Sequence, residues 1–347
     1  MAVTRPRAVL LAATLAGAAS LAAAPPPAGF VSDTPLPAAK PWTAQPRSSE
    51  GPLRFAVIGD RTGVARPGVF PQAMTQIGWL APDFIIDVGD MIEGYTDDRA
   101  ELNREWDEID GYVKAAGVPF VFTPGNHDLD NPTMLDVWRQ RHGAEFYDFT
   151  YKHALFLVLD TEDPPTPMSP TMAGQFHGLV KLMQANPAAA DKMMADYYSG
   201  ALKAPPRDPA EVQSEARIEK DANFSDRQVA FVKAALARHP DVRWTFVFFH
   251  KPAWTDDSPA WPKIEALLGA RNYTVFAGHM HYFTHEVRGG HDYFDMATTG
   301  AIQHKPGPGN MDHVMFVTLT PEGPKYANIR LNGLMDADGH TGQTRAF

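Results

Sequence analysis

Apolar positions in this chain follow two different periods. Short runs rich in β-branched and aromatic residues, at 53–59 (LRFAVIG), 84–89 (FIIDVG) and 119–123 (PFVFT), are bounded by Gly, Pro or Asp and predict buried strands. Between them, apolar positions recur with helical spacing around 70–80 and 98–116, giving a strand–helix–strand rhythm. EFYDFTYKH and ALFLVLDTE then predict a hairpin over roughly 145–160. FSDRQVAFVKAALARH predicts a helix with Ser225 at its N-cap. WTFVFFH (244–250) and YTVFAGH (273–279) are further strands that end in polar residues. HEVRGGHDYFDMATTG, DHVMFVTLT and PKYANIRLN alternate as antiparallel strands do. Strand–helix alternation followed by strand pairs predicts an α/β fold, with a mixed sheet or two stacked sheets flanked by helices.

Two segments break this rhythm. Residues 163–222 open on DPPTPMSP, close on KAPPRDPAEVQ and carry helical periods between, which reads as a helical insertion beside a site. Residues 23–52 are rich in Pro, Ala and Ser and read as an extended linker ahead of a domain spanning 53–335, with a tail over 336–347. At the N-terminus, Arg5 and Arg7 precede the apolar run AVLLAATLAGAASLAAA, the pattern of a signal peptide over 1–22. Ser20-Leu21-Ala22 offers a cleavage site, and the chain is expected to be exported, periplasmic or secreted, with no membrane anchor after cleavage.

Composition narrows the chemistry. With 347 residues, 44% of them apolar, the chain can bury a large core. A net charge of -10 argues against a nucleic-acid partner and against anionic membranes, so an anionic substrate needs locally concentrated positive charge. The absence of cysteine excludes disulfides, thiolate ligands and a thiol nucleophile.

The polar strand ends are Gly59-Asp60, Gly89-Asp90, Gly125-Asn126-His127-Asp128, Phe249-His250 and Gly278-His279-Met280-His281. In α/β sheets, ligands bind where strand carboxyl ends converge. A buried carboxylate is costly without a positive or hydrogen-bonding partner, and here two end buried strands. Carboxylate, amide oxygen and imidazole without thiolate suit Zn, Mn or Fe, and less readily Mg. Six candidate ligands exceed one tetrahedral ion and fit two ions sharing a carboxylate, a clamp for displacement at phosphorus.

In this order, GD…GD-x-x-E…GNHD…H…GHMH resembles the calcineurin-like metallophosphoesterase superfamily over roughly 53–300. The resemblance implies a four-layer αββα sandwich and two divalent or trivalent ions (Mn, Fe or Zn). Asp60 and His281 would hold the first, Asp90 would bridge, and Asn126, His250 and His279 would hold the second. A metal-bound hydroxide would attack a small phosphate ester in line. His127 would act as general acid, oriented by Glu93, and Asp128 would accept hydrogen bonds behind the ligands.

The chain departs from the family's D-x-H block, having Thr62 where the ligand histidine stands. The Thr62 hydroxyl, Glu93, His285 and His304 are the candidates to complete the first ion. The alternative reading is a non-catalytic metal- or phosphate-binding protein on the same fold, although His127 and Glu93 are retained. Arg61 is expected to grip a phosphate oxygen, and Trp254 and Trp261 to stack on the substrate at the mouth.

Overall fold

A computed structural model describes residue 1 and residues 29–342, except 37, 47–49, 203–208, 210–211, 214–215, 217–220, 256–257 and 339. The signal-peptide reading lies outside the described residues. Among these, no helix is long and apolar enough to cross a membrane.

Two mixed sheets form the centre. The first contains β1 (Leu53–Ile58), β2 (Phe84–Asp87), β3 (Phe120–Val121), β10 (His313–Thr320) and β11 (Gly323–Arg330), in the order β11-β10-β1-β2-β3. Its β1, β2 and β3 are parallel, and β10 and β11 add antiparallel. The second contains β4 (Tyr147–Tyr151), β5 (Ala154–Val158), β6 (Trp244–Phe248), β7 (Tyr273–Ala277), β8 (Thr284–Arg288) and β9 (His291–Asp295), in the order β4-β5-β6-β7-β9-β8. Lys152 and His153, both at positive φ, turn the β4–β5 hairpin.

Period-two alternation assigns each strand residue to a layer. Phe55, Val57, Phe84, Phe156, Phe248 and Phe276 point between the sheets. There Phe149 stacks on Phe156 at 4.6 Å and Phe248 on Phe276 at 5.0 Å. The alternate residues Ala56, Ile58 and Ile85 face α1 (Val69–Leu80), α2 (Arg99–Ala116) and α4 (Pro132–Arg141). Leu155, Leu157 and Val247 face α7 (Asp226–Arg238) and α8 (Trp261–Leu268) on the other side. The result is the four-layer αββα sandwich that the motif resemblance implied. Asp98 caps α2, accepting from the amides of Ala100 and Glu101. Ser225 precedes α7, but its hydroxyl donates to Asp163 instead of capping the helix.

The described part of the 163–222 segment contains α5 (Pro170–Ala185) and α6 (Pro187–Tyr198). The segment read as an extended linker is strapped to both sheets over part of its length. Val31 exchanges backbone hydrogen bonds with Thr150, Thr43 donates to Phe120, and Pro41 accepts from Phe122. Phe30, Leu36 and Trp42 pack on the inter-sheet core, so burial of large side chains overrides the linker-like composition. At the other end, Gln76 Nε2 donates to the carbonyls of Leu334 and Thr341 and ties the start of the tail to α1.

One core residue sets an acid limit. His142 is wrapped by Trp106, Phe122 and Trp138 at 4.4–4.7 Å, and its Nε2 has no hydrogen-bond partner. Burial, with Arg141 adding, lowers its pKa from 6.5 to about 3. The folded pKa is depressed, so stability is full above 6.5 and is lost as pH falls towards 3. Between pH 7 and pH 5 the loss from this group is about 2 kcal/mol. Urea unfolding at both pH values should show it, and a His142→Phe chain should show a loss smaller by that amount.

Candidate metal centre

Five strands deliver polar residues to one end of the sandwich. Asp60 follows β1, Asp90 follows β2, Asn126 and His127 follow β3, His250 follows β6, and His279 and His281 follow β7. Asn126 opens a single helical turn, α3 (Asn126–Leu129). Asp90, His279 and His281 have left-handed backbones, with φ of 60°, 72° and 49°. Each such position costs about 1–3 kcal/mol and persists only where surrounding structure enforces it. Gly125 and Gly278 permit the close approach. A Cβ at Gly125 would overlap Asp90 Oδ1, and one at Gly278 would overlap Asp60 Oδ1.

The side chains converge. His250 Nε2 lies 3.1 Å from Asp90 Oδ2 and 3.2 Å from His279 Nδ1. Asp90, His250 and His279 each offer a ligand atom within 4.8 Å of the others. His281 Nε2 lies 3.2 Å from Asp60 Oδ2. The imidazoles are aimed from behind: His250 Nδ1 meets Val88 O at 2.8 Å and His281 Nδ1 meets Ile302 O at 2.6 Å. Each Nε2 is thereby left for the centre. Asn126 is aimed likewise, with Nδ2 donating to Tyr95 Oη at 2.5 Å and Oδ1 left over. Asp128 accepts from the amides of Asp90, Met91, Ile92 and Gly125 at 2.9–3.3 Å and so shapes the Asp90 turn, as expected of it.

Two observations make this a cation site. Asp60 Oδ1, Thr62 Oγ1 and Asn126 Oδ1 are buried and have no hydrogen-bond partner. Such oxygens are costly unless something positive meets them. The buried charge is also one-sided. Burial, with Asp90 and Asp128 adding, pushes Asp60 well above the usual carboxylate range, and burial and Asp60 do the same to Asp295. Burial also acts to raise Asp90, but His250 and His127 outweigh it and hold that carboxyl low. Burial disfavours a charged His250, yet Asp90 and Asp60 raise its ring to about 10. Two dications would supply the missing positive charge, and the oxygen and imidazole donors fit them.

His127 stands beside this cluster. Its amide donates to Asp90 Oδ1 at 3.0 Å, and its Nε2 is 3.9 Å from Asp90 Oδ2. Its ring packs against Tyr95 at 4.5 Å and Phe176 of α5 at 5.0 Å, which also touch each other. Neither aromatic carries a motif signal, and sequence reasoning passed over both.

Four expected side chains have other partners. The carboxylate of Glu93 accepts from the amides of Val64 and Ala65 at 3.1 and 2.7 Å. His127 Nδ1 instead meets the backbone carbonyl of Glu93 at 2.9 Å. Glu93 thus orients the ring through its main chain, because the amides of the 63–65 turn claim its side chain. Arg61 is buried and pairs with Glu108 at 3.1 Å on α2 and with Met91 O at 3.4 Å, away from any phosphate grip. Trp254 packs on Phe249 and Tyr293 and donates to Glu286, and Trp261 lies in the same outer core. Both indoles bury their area under the helix layer, so neither lines a mouth. Of the candidates to complete the first ion, Thr62 is in place with its orphaned hydroxyl. His285 on β8 pairs with Asp292 on β9, and His304 stacks on the His281 ring at 4.2 Å.

The family model for calcineurin-like phosphoesterases matches residues 53–283. The chain belongs to the calcineurin-like phosphoesterase family. A dimetal phosphatase from Danio rerio shares its fold, with TM-score 0.51 and 15% identity over 81% of this chain and 99% of that one. A purple acid phosphatase from seeds of yellow lupin, Lupinus luteus, gives TM-score 0.50 and 12% identity over 81% of this chain and 52% of the other. No curated protein sequence matches the chain. The family is one of metal-dependent phosphoesterases with a dinuclear centre.

Proposed function

We propose that this calcineurin-like phosphoesterase hydrolyses small phosphate esters at the strand-end centre. The gathering of six ligand-type side chains at the strand ends, with Asp60 Oδ1, Asn126 Oδ1 and the neighbouring Thr62 Oγ1 buried without a partner, carries this reading. Asp60, His281 and a shared Asp90 would hold one ion, and Asn126, His250 and His279 the other. When bound, the ions supply a nucleophile from water at neutral pH and neutralise charge on the phosphoryl oxygens.

The chain's own residues do the rest. Asp128 and Gly125 hold the Asp90 turn, and Tyr95 holds the amide oxygen of Asn126 towards the centre. His127, tied at Nδ1 to the Glu93 carbonyl, presents Nε2 to the leaving oxygen. Nε2 gives that oxygen its proton as the ester bond breaks, leaving the neutral ring with its hydrogen on Nδ1. Tyr95 and Phe176 keep the ring in this pose. A protein that only bound metal or phosphate would not need an imidazole so oriented. The test is phenol release from phenyl phosphate and from diphenyl phosphate with Mn(II), Zn(II) or Fe(II). Turnover of one or both esters is expected, and their ratio ranks monoester against diester. No release from either ester with any of these metals would contradict the reading.

Thr62 has a defined part in this account. Its orphaned hydroxyl is the oxygen nearest in sequence to Asp60 and replaces the family's imidazole. A Thr62→Val chain keeps the shape and loses that oxygen. It should bind one of the two ions about tenfold more weakly in a metal titration, with folding stability changed by no more than about 1 kcal/mol. An unchanged isotherm would make Thr62 a packing residue only. The charged and apolar N-terminal run supports export of the enzyme. Sequencing the N-terminus of the processed chain tests this, with cleavage near residue 22 expected and an intact Met1 contradicting it.

A further inference from the structure

The phosphoesterase reading leaves the alcohol carried by the phosphate without a place. The loop after the metal centre provides one. Ile302 O accepts from His281, and two residues on, His304 lies on the His281 ring at 4.2 Å with 30° between the planes. The loop then faces α6, and the two line an open cavity of about 490 Å³. Met194 and Ala195 line it from α6, Ser199 from just after that helix, and Gln303, His304 and Asn310 from the loop. His304 therefore borders both the centre and the cavity.

The surroundings are built rather than fortuitous. Ile302 packs with Val64, Met183 and Ala190 in a small core of its own, which fastens the α5–α6 pair to the loop. The same helix pair reaches His127 through Phe176 at 5.0 Å. The leaving oxygen must face His127, so the group attached to it leaves the centre on the side that α5 and α6 cover.

We infer that the cavity between α6 and the 302–310 loop receives the alcohol portion of the phosphate ester, with His304 lining the passage from the metal centre. The inference rests on the phosphoesterase reading. The volume falls within the range of small-molecule sites. Met194, Ala195 and Ile302 offer an apolar wall, and Ser199, Gln303 and Asn310 offer hydroxyl and amide groups. A ring with one apolar face and a hydroxyl or amide edge suits it, of the size of a sugar or nucleoside. Arg66, Asp191 and Lys305 also border the cavity; Arg66 is paired with Asp312, Lys305 lies over the Tyr282 ring at 4.2 Å, and the Asp191 carboxylate disfavours an anion. An uncharged group therefore fits better than a second phosphate.

The test fills the cavity from exposed positions on and just after α6, with Ala195→Trp and, separately, Ser199→Trp. Phosphate release is measured with ethyl phosphate and with uridine 5′-monophosphate. The kcat/KM for the nucleotide should fall about tenfold or more in both variants, while that for ethyl phosphate stays within about twofold. Saturation-transfer NMR of free uridine with the metal-free chain should show contact in the unaltered protein and lose it in the variants. If the unaltered chain hydrolyses neither these monoesters nor diphenyl phosphate, the phosphoesterase reading fails and this inference with it; if it hydrolyses diphenyl phosphate but not uridine 5′-monophosphate, the phosphoesterase reading stands and the cavity assignment is overturned. If it hydrolyses both monoesters and the variants affect them alike, or affect neither, the cavity assignment alone is overturned. Uridine contact that persists in both variants overturns it too.

Discussion

Replacing Asp90 with asparagine is expected to lower phosphate-ester hydrolysis by on the order of 10³-fold or more, and to lower the number of ions held. Changes behind a metal ligand cost about 10–100-fold in affinity or activity, and loss of the shared carboxylate reaches both ions at once. The side chain sits where every part of the centre meets. It faces His250 Nε2 at 3.1 Å, accepts the His127 amide at 3.0 Å, and its own amide is held by Asp128 at 2.9 Å. Asparagine keeps the shape and removes the charge. The variant should stay folded, so metal counting and thermal unfolding on the same sample separate loss of the ions from loss of the fold. Two tightly held ions with unimpaired turnover would remove Asp90 from its assigned place.

The second large effect is at His127. A His127→Gln chain should retain both ions and lose about 10²–10⁴-fold in kcat, the range for a general acid. The loss should depend on the ester. An alkyl alcohol is a poor leaving group and needs the proton from Nε2, whereas p-nitrophenolate leaves without it. The deficit should therefore be large for ethyl phosphate and small for p-nitrophenyl phosphate. Equal losses on both would mean that His127 positions the phosphoryl group instead of protonating the alcohol. Phe176→Leu, which removes only one of the two rings beside His127, should reproduce a weaker form of the same selectivity.

The pattern of these sites explains what could be read from the chain. The strand ends were legible because an apolar run that stops at Gly-Asp or Gly-His reports a backbone fact, namely where a buried strand ends. Asp60, Asp90, Asn126, His250, His279 and His281 all follow from it. The layers were legible for the same reason, since period-two alternation sends Phe55 and Ile58 to opposite faces. Side-chain partners far apart in sequence were not. Arg61 finds Glu108 on α2, 47 residues away, and Trp254 finds Glu286, 32 residues away. No local pattern announces such pairs. Glu93 shows the same limit at short range: its motif position correctly pointed to His127, but the main chain makes that contact. The strapped segment around Phe30 and Trp42 was hidden by composition, because Pro and Ala describe the stretch while two aromatic rings decide where it goes.

The central claim is that this centre works with two ions. The most direct measurement strips the chain of metal, titrates it with Mn(II), and follows phenyl phosphate hydrolysis and bound metal in the same samples. The account predicts no turnover in the stripped chain, activity that rises with loading, and a plateau at two ions per chain. Full activity at one ion per chain, or turnover that survives complete removal of metal, would contradict it.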